Sequence, residues 1–269
     1  MGGKRGGIRL GAYYPVQSPV HGLDPRAKLL GMLAFLTGIF WVDEFWVFGL
    51  VYAFGFGVLW LAKIPPTKAL AAVRGLIFLL AVTCAINMLV TPGEQVLWEW
   101  EFLTLTMEGI ERSLLMLLRL VALISFSGLL TFTTTPIELE DGMESLLLPF
   151  KRWGLPAHEF AMMMTIALRF VPILLAEADK LMKAQRSRGG DLASGSVMKR
   201  MKTLVAMVVP LLFNALKRAD DLAIAMEARA YTGGEGRVSL RELRWAGRDT
   251  LALIVVLGFV AFMVVSRWL

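Results

Sequence analysis

The sequence contains little of what a soluble enzyme or a secreted domain usually carries. It has one cysteine in 269 residues, two histidines and 19% charged residues. A single cysteine excludes a disulfide scaffold, and 57% hydrophobic residues exclude disorder. Soluble domains are about 45–50% apolar and about 25% charged, so an ordinary cytosolic enzyme is excluded too. A mean hydropathy of +0.63 indicates instead a membrane protein with several spans.

Motifs for catalysis and for nucleotide binding are also absent. The sequence has no G-x-x-x-x-G-K-[ST] loop to hold ATP phosphates, and it has no H-E-x-x-H motif. His21 and His158 stand alone, without the Cys/His cluster that a zinc site needs. We therefore predict no catalytic residue, no bound cofactor and no metal site. We also expect no cleavable signal peptide, so the first span would serve as an uncleaved anchor.

The apolar runs predict an all-α polytopic membrane protein. A bilayer core takes about 20 residues to cross as a helix, and five runs are candidate spans. The first is short and requires shielding by its neighbours or a thinner membrane. A cytoplasmic set of amphipathic helices, one short and two long, completes the predicted fold. The five runs are 29–42, 45–62, 75–91, 112–132 and 250–266.

The charge distribution predicts the orientation, because basic residues mark cytoplasmic ends. We expect a cytoplasmic N-terminal segment at 1–28, four spans within 29–135, a cytoplasmic helical domain at 136–248 and the last span at 249–269. The acidic turn at 43–44, the five-glutamate loop at 92–111 and the C-terminus would then be extracellular. Residues 136–248 hold 30 of the 50 charges. The net charge of +6 is therefore a topology signal and does not indicate nucleic-acid binding.

The cytoplasmic region begins with a recognisable helix start. Thr135 can cap the first free N–H groups, Pro136 suits the first helical position, and Glu138 can complete a capping box. This predicts a short helix at 136–149. Two long helices follow, at 157–188 with Pro172 bending the chain and at 196–231 with Pro210 inside it.

The ends of the two long helices match each other. Both fit the pattern Asp-x-Leu-x-x-Ala-x-x-x-Arg-small. Leucine, alanine and arginine at i, i+3 and i+7 form one helical stripe, and a guanidinium at a helix C-terminus can grip a carboxylate in two places. One such end reads as an ordinary solvated helix end, whereas two predict docking into two equivalent sockets of a dimeric or pseudo-dimeric partner. The copies contain Leu181, Ala184, Ser187, Arg188 and Gly189, and Leu222, Ala225, Ala228, Arg229 and Ala230.

These paired ends resemble the Ala-Arg-Gly motifs in the transmembrane, or T, component of energy-coupling factor (ECF) transporters. The resemblance extends over nearly the whole chain. Two substitutions depart from it, because Ser187 replaces the alanine of the first motif and Ala230 the glycine of the second. Both substitutes are small, so close docking is preserved. The other similar stretches are 23–29, 133–139, 154–156 and 167–172.

The resemblance implies a function. A T component of the prokaryotic cell membrane joins two cytoplasmic ABC-type ATPases to one small membrane subunit that binds a vitamin or a metal ion. Arg188 and Arg229 would dock in grooves of the ATPases, which alone bind ATP and Mg²⁺. ATP-driven closure of the ATPase pair would move the two helices and release the cargo. The chain itself would be a non-catalytic subunit.

Several alternatives stay open at this stage. Met162, Met163 and Met164 lie in a methionine-rich region that is either core or a surface for the substrate-binding subunit. Arg119 is either functional or paired with Glu111 or Asp179. A membrane-embedded enzyme would need a cluster such as Glu138, Glu140, Asp141 and Glu144, which reads better as a solvated face. A stand-alone secondary carrier would favour two related sets of spans, and only the cytoplasmic repeat is found.

Overall fold

The computed structural model describes residues 13–93, 95–100, 103–147, 149, 157–188, 196–231, 243 and 245–268. These residues are mainly helical, and the predicted all-α polytopic class is confirmed. The elements are α1 (Pro25–Ile39), α2 (Phe45–Leu61), α3 (Pro66–Val90), β1 (Val96–Trp100), β2 (Leu103–Thr106), α4 (Met107–Thr133), α5 (Pro136–Leu147), α6 (Ala157–Ser187), α7 (Val197–Glu227) and α8 (Gly247–Val265).

Three helices among the described residues are long and apolar enough to cross a membrane, namely α3, α4 and α8. The α2 helix is apolar over 17 residues, and α1 has 15 residues. Both are shorter than the roughly 20 residues that cross a bilayer core. The described chain therefore contains helices at all five predicted spans, of which three meet the length and composition of a full span.

Four helices begin earlier than the predicted spans, and for α3 and α4 the difference is five residues or more. The α3 helix starts at Pro66 rather than near 75, because proline suits the first helical turn and the basic side chains that follow do not stop a helix. The α4 helix starts at Met107 rather than near 112, because the Thr106 hydroxyl accepts a hydrogen bond from the Gly109 amide over 3.0 Å. Helix ends thus extend beyond the purely apolar runs.

A two-stranded antiparallel hairpin lies between α3 and α4, where the sequence predicted only a loop. Strands β1 and β2 pair Trp100 with Leu103 and Val96 with Thr106, with an irregularity between Val96 and Trp98. The segment 92–111 contains five glutamates, which favoured a loop over strands in the sequence-based prediction. Its valine, tryptophan and threonine residues favour strands.

The chain divides into two compact units, one within Gly11–Met143 and Leu243–Leu269 and the other including Glu144–Glu242. The first contains α1 to α4, the hairpin, α8 and the start of α5, and its core is aromatic. The Phe54 and Phe259 rings stack with centroids 4.3 Å apart, and Phe35 meets Phe126 edge-on at 5.9 Å. A Cβ on Gly55 would overlap the Phe126 ring, so glycine lets α2 approach α4 closely.

Polar contacts fix both ends of this unit. At one end Asp24 and Asp249 are buried, and the Asp249 carboxylate accepts hydrogen bonds from the Asp24 and Ala246 amides, each over 2.8 Å. At the other end Asp43 lies 3.3 Å from Arg267. The starts of α1 and α8 therefore lie together, and so do the segments that follow their ends, which makes these two helices parallel neighbours.

The second unit contains α6 and α7, each of 31 residues. They meet along an apolar groove whose wall on α6 includes Val171 and Leu174 and whose wall on α7 includes Leu212 and Ala215. The two helices continue from this contact toward their C-terminal ends. Since a helix rises 1.5 Å per residue, each is about 46 Å long.

Candidate functional site

The first predicted docking segment forms the end of α6. Helical hydrogen bonding continues to Arg188, whose amide donates to the carbonyls of Ala184 (3.3 Å) and Gln185 (3.0 Å). The Ser187 hydroxyl donates to the Lys183 carbonyl over 3.1 Å. Ala184, Ser187 and Arg188 are exposed, whereas Leu181 is partly buried. The stripe therefore exposes small side chains and a guanidinium at the end of the helix, while its leucine is partly buried. Gly189, which was predicted to belong to this segment, lies outside the described residues.

The second docking segment ends α7 with a tight left-handed turn. The Tyr231 amide donates to the Met226 carbonyl over 3.1 Å, and the Ala230 amide donates to the Glu227 carbonyl over 2.8 Å. Ala230 has a φ of 56°, in the left-handed region that glycine adopts without strain. This explains physically why a glycine suits the position that Ala230 occupies. Arg229, just before the turn, is exposed.

The same stripe geometry recurs on α7. Ala225 and Ala228 are exposed, and Leu222 is partly buried like Leu181 on α6. Both arginines lie just beyond the last helical residue, which is Ser187 in α6 and Glu227 in α7. The two segments thus share spacing, exposure and position relative to a helix end. Their role in docking stays a prediction.

The prolines and methionines lie upstream of these ends. Both long helices continue through their prolines, Pro172 and Pro210, although each proline removes one main-chain hydrogen bond. Met163 and Met164 are exposed, with 58% and 40% of their surface accessible, whereas Met162 is partly buried. Two of the three methionines are therefore available on the surface of this unit.

The start of α5 contains both hydrogen bonds of a capping box. The Glu138 amide donates to the Thr135 hydroxyl over 3.3 Å, and the Thr135 amide donates to the Glu138 carboxylate over 3.0 Å. Pro136 is the first helical residue. The direction of the chain as it leaves α4 is therefore fixed by side chains as well as by the main chain.

Lys28 connects this turn to its surroundings. Its ammonium donates to the carbonyls of His21 (2.9 Å) and Thr133 (3.2 Å). Burial lowers the pKa of Lys28, against the nearby carboxylates of Glu138, Asp24 and Asp249, which raise it. The Lys28 ammonium thus links the segment before α1 to the end of α4 by hydrogen bonds. It also lies near the carboxylates at the starts of α5 and α8. From the sequence, Lys28 is only one of the basic residues that mark the segment 1–28 as cytoplasmic.

Arg119 has partners that the sequence did not predict. Its guanidinium donates to the Val42 carbonyl over 2.6 Å and to the Asp43 carboxylate over 3.1 Å. Of the alternatives left open, a structural pairing is found, but its partner is Asp43 rather than Glu111 or Asp179, because tertiary packing brings the α1–α2 turn to Arg119. A partner so distant along the chain carries no local signal in the sequence. In the described structure Arg119 holds this turn, together with Arg267 on the same carboxylate.

A polar contact between α6 and α7 was also missed. The Asn214 amide donates to the Glu177 carboxylate over 2.6 Å, and the Arg218 guanidinium lies 3.8 Å from the other carboxylate oxygen. The interval along the chain from Glu177 to Arg218 equals the interval that relates the two docking segments. That equal interval was the available signal in the sequence.

The chain is similar in sequence to proteins of one family. The family model described as "Cobalt transport protein" matches residues 16–240. The "Energy-coupling factor transporter transmembrane protein EcfT" of Acidaminococcus fermentans is 47% identical over 261 residues, covering 97% of each chain. The protein of the same name from Thermanaerovibrio acidaminovorans is 47% identical over 249 residues, and covers 91% of each.

A third relative of that name, from Bacillus subtilis, is 41% identical over 258 residues, 96% of this chain and 97% of its own. The shared name describes the transmembrane protein of a transporter, in agreement with the predicted membrane location and with a non-catalytic subunit. The match spans both units, including the paired docking segments and the capped start of α5. The chain therefore belongs to the cobalt transport protein family and is a transmembrane protein of the energy-coupling factor transporter type.

Proposed function

We propose that this chain is the scaffold and coupling subunit of an ECF-type ABC importer. It transmits the ATP-driven motion of two cytoplasmic ATPases, through the arginines that end α6 and α7, to a small substrate-binding membrane subunit. One observation carries the proposal: two helices of equal length end in an exposed arginine at the same position of a sequence repeat. Two equivalent plugs suit a partner with two equivalent sockets.

The docking chemistry follows from the shape of each end. Arg188 and Arg229 are exposed beyond helix C-termini, and exposed alanines beside them let another protein approach the helix backbone. A guanidinium forms a planar fork that matches a carboxylate in two places. We therefore assign each arginine to an acidic groove of one ATPase. The supporting surface consists of Leu181, Ala184, Ser187, Gly189, Leu222, Ala225, Ala228 and Ala230.

The remaining assignments complete the importer. The ATPases bind ATP and Mg²⁺, and this chain binds neither. The cargo held by the substrate-binding subunit is a vitamin or a metal ion. In a prokaryotic cell membrane, residues 1–28 and 136–248 face the cytoplasm and the C-terminus faces outward, because basic residues mark the inner side. The close approach of Arg267 to Asp43 supports an outward C-terminus, because the acidic turn is assigned to the same side.

The test of docking uses charge reversal with a matched control. Arg188→Glu and Arg229→Glu are each expected to reduce capture of the ATPases by about 30-fold or more, since losing a close interfacial charge pair costs about 2–5 kcal/mol. The double variant should capture less than either. Capture is measured by affinity purification of the full chain from host membranes and by counting peptides of proteins that carry G-x-x-x-x-G-K-[ST].

The control is Arg186→Glu, which makes the same charge change on the exposed surface of α6, close to Arg188 in the chain. A step of two positions corresponds to about 200° around a helix, so this side chain leaves the docking stripe. The control should capture the ATPases nearly as well as the unchanged chain. Full capture by the double variant, or equal losses in the control, would refute docking through the two arginines.

We further propose that the methionines near the start of α6 contact the substrate-binding subunit. Exposed thioethers adapt to differently shaped surfaces, and Met163 and Met164 are exposed. Replacing Met162, Met163 and Met164 together by alanine should reduce copurification of that subunit and leave ATPase capture intact. Met198→Ala, at an exposed methionine on α7, is the control. Unchanged copurification in the triple variant would reject this assignment.

A further inference from the structure

One polar cluster interrupts the apolar contact between α6 and α7. Glu177 accepts a hydrogen bond from Asn214 over 2.6 Å, and one of its oxygens lies 3.8 Å from Arg218. Val171, Leu174 and Leu212 lie in the groove beside the cluster. The Glu177 side chain is 22% exposed and the Arg218 side chain 44%. A carboxylate at an apolar helix contact is costly to bury unless it is paired and hydrogen-bonded, so its partners restrict how the two helices can be arranged.

The cluster lies at equivalent points of the repeat. The interval along the chain from Glu177 to Arg188 equals the interval from Arg218 to Arg229. This interval amounts to about three helical turns, or about 16 Å, so each docking arginine lies close to the helix face of the cluster residue on its own helix. Beyond the cluster, two segments of equal length lead to the docking arginines, from Glu177 to Arg188 on α6 and from Arg218 to Arg229 on α7. We call these segments the arms.

The ion pair is also incomplete as it stands. The second carboxylate oxygen of Glu177, Oε2, is buried and has no hydrogen-bond partner among the described residues. At 3.8 Å the Arg218 guanidinium lies beyond hydrogen-bond distance. A shift of roughly 1 Å between the helices would complete the bond. The cluster therefore favours helix crossings that bring the Glu177 carboxylate and the Arg218 guanidinium together.

We propose that Glu177, Asn214 and Arg218 form a pivot that sets the separation of Arg188 and Arg229 and makes the two arms move together. This inference rests on the docking role proposed above. The three are positioning residues, because none is assigned a contact with a partner. The pseudo-equivalence of Glu177 and Arg218 leads to a specific expectation. Exchanging the two residues should preserve the pivot, and the Asn214 amide can rotate to present its oxygen to a guanidinium.

The pivot is tested by measuring the distance between the arms in the full-length chain. Spin labels are placed at Lys183→Cys and Ile224→Cys, two exposed and equivalent positions of the repeat, in a Cys84→Ala background. Glu177→Arg or Arg218→Glu alone should broaden or shift the distance distribution. The redistribution should be about threefold to tenfold in population, as expected for losing a partly exposed charged hydrogen bond. The exchanged pair E177R/R218E should restore the original distribution.

The same variants are then tested with the ATPases bound. Addition of ATP should shift the label distance in the unchanged chain and in E177R/R218E. The shift should be reduced about threefold or more in either single variant, while ATPase capture stays intact. Lys217→Glu, an exposed charge reversal beside Arg218, should behave like the unchanged chain. Single variants without effect, or an exchanged pair no better than the singles, overturn the pivot.

These outcomes separate the two proposals. The distances in the isolated chain depend only on the pivot, so they report on it even if Arg188→Glu and Arg229→Glu leave ATPase capture unchanged. Loss of capture in those arginine variants, with unaltered distances in the Glu177 and Arg218 variants, would support docking and reject the pivot.

Discussion

Replacing Ala230 with glycine is expected to stabilise the end of α7. Ala230 has a φ of 56°, and this left-handed conformation costs an L-residue about 1–2 kcal/mol. Glycine removes that cost but loses about 0.4–1 kcal/mol through its greater freedom in the unfolded chain. The net gain is about 1 kcal/mol, because the hydrogen bonds of the Ala230 and Tyr231 amides do not involve the side chain at position 230.

Hydrogen exchange of the full-length chain measures this gain locally. A free energy of about 1 kcal/mol corresponds to about fivefold slower exchange for the amides of the turn, if they exchange through opening of the helix end. The amides of Ala230 and Tyr231 are the ones to follow. They donate over 2.8 Å and 3.1 Å to carbonyls of the last helical turn.

Two matched variants determine whether strain is the cause. Ala228→Gly makes the same substitution where φ is not positive, so it should loosen the turn by about 0.5–1 kcal/mol. Lys63→Gly repeats the favourable change at the end of α2, where Lys63 has a φ of 55° and the Ile64 amide reaches back to the Leu59 carbonyl over 3.0 Å. If Ala230→Gly exchanged as fast as the unchanged chain, or changed in the same direction as Ala228→Gly, the strain argument would be wrong.

Three further changes follow from the packing of the first unit. Gly55→Ala should lower the thermal unfolding temperature in detergent, because its Cβ would overlap Phe126 and overpacking costs about 1–3 kcal/mol; Gly57→Ala, with open space around it, should be tolerated. Thr135→Ala should cost about 1 kcal/mol by removing a helix cap, measurable as faster hydrogen exchange at the start of α5. The pKa of Lys28 is lowered in the folded chain, so the unfolded chain binds more protons at this group. The contribution of Lys28 to the free energy of unfolding should therefore rise with pH between the lowered pKa and 10.5. This part of the pH dependence of stability should disappear in Lys28→Met.

Local signals in the sequence predicted the two long helices and the start of α5 well. The two long helices were expected at 157–188 and 196–231 and are found at Ala157–Ser187 and Val197–Glu227, because amphipathic periodicity and helix-ending residues are both local. The cap at Thr135 and Glu138 was readable for the same reason. The hairpin was not predicted, since its pairing of Val96 with Thr106 depends on contacts across a turn.

Contacts between distant residues were the part that the sequence did not reveal. Arg119 was considered with Glu111 or Asp179, yet it bonds the Val42 carbonyl and Asp43. Nothing near Arg119 in the chain indicates which carboxylate the fold will bring to it. The same holds for the buried Asp249, which binds the amide of the distant Asp24. These contacts decide how the elements of the first unit are held, whereas periodicity decides only that the elements form.

The repeat in the second unit is confined to the C-terminal arms of its two helices, and this limit bears on the proposed function. Toward the tips, Glu177 and Arg218 hold equivalent positions, as do the two docking arginines. Upstream the equivalence fails, because the shift that superimposes the docking arginines relates Pro172 to Phe213 and Pro210 to Arg169. The methionine cluster likewise corresponds to Thr203, Leu204 and Val205. A pair of equivalent ATPases requires two equivalent ends, whereas a single substrate-binding subunit requires none. The repeat is therefore present at the C-terminal ends of α6 and α7, which are assigned to two ATPases. It is absent near the start of α6, which is assigned to the single substrate-binding subunit.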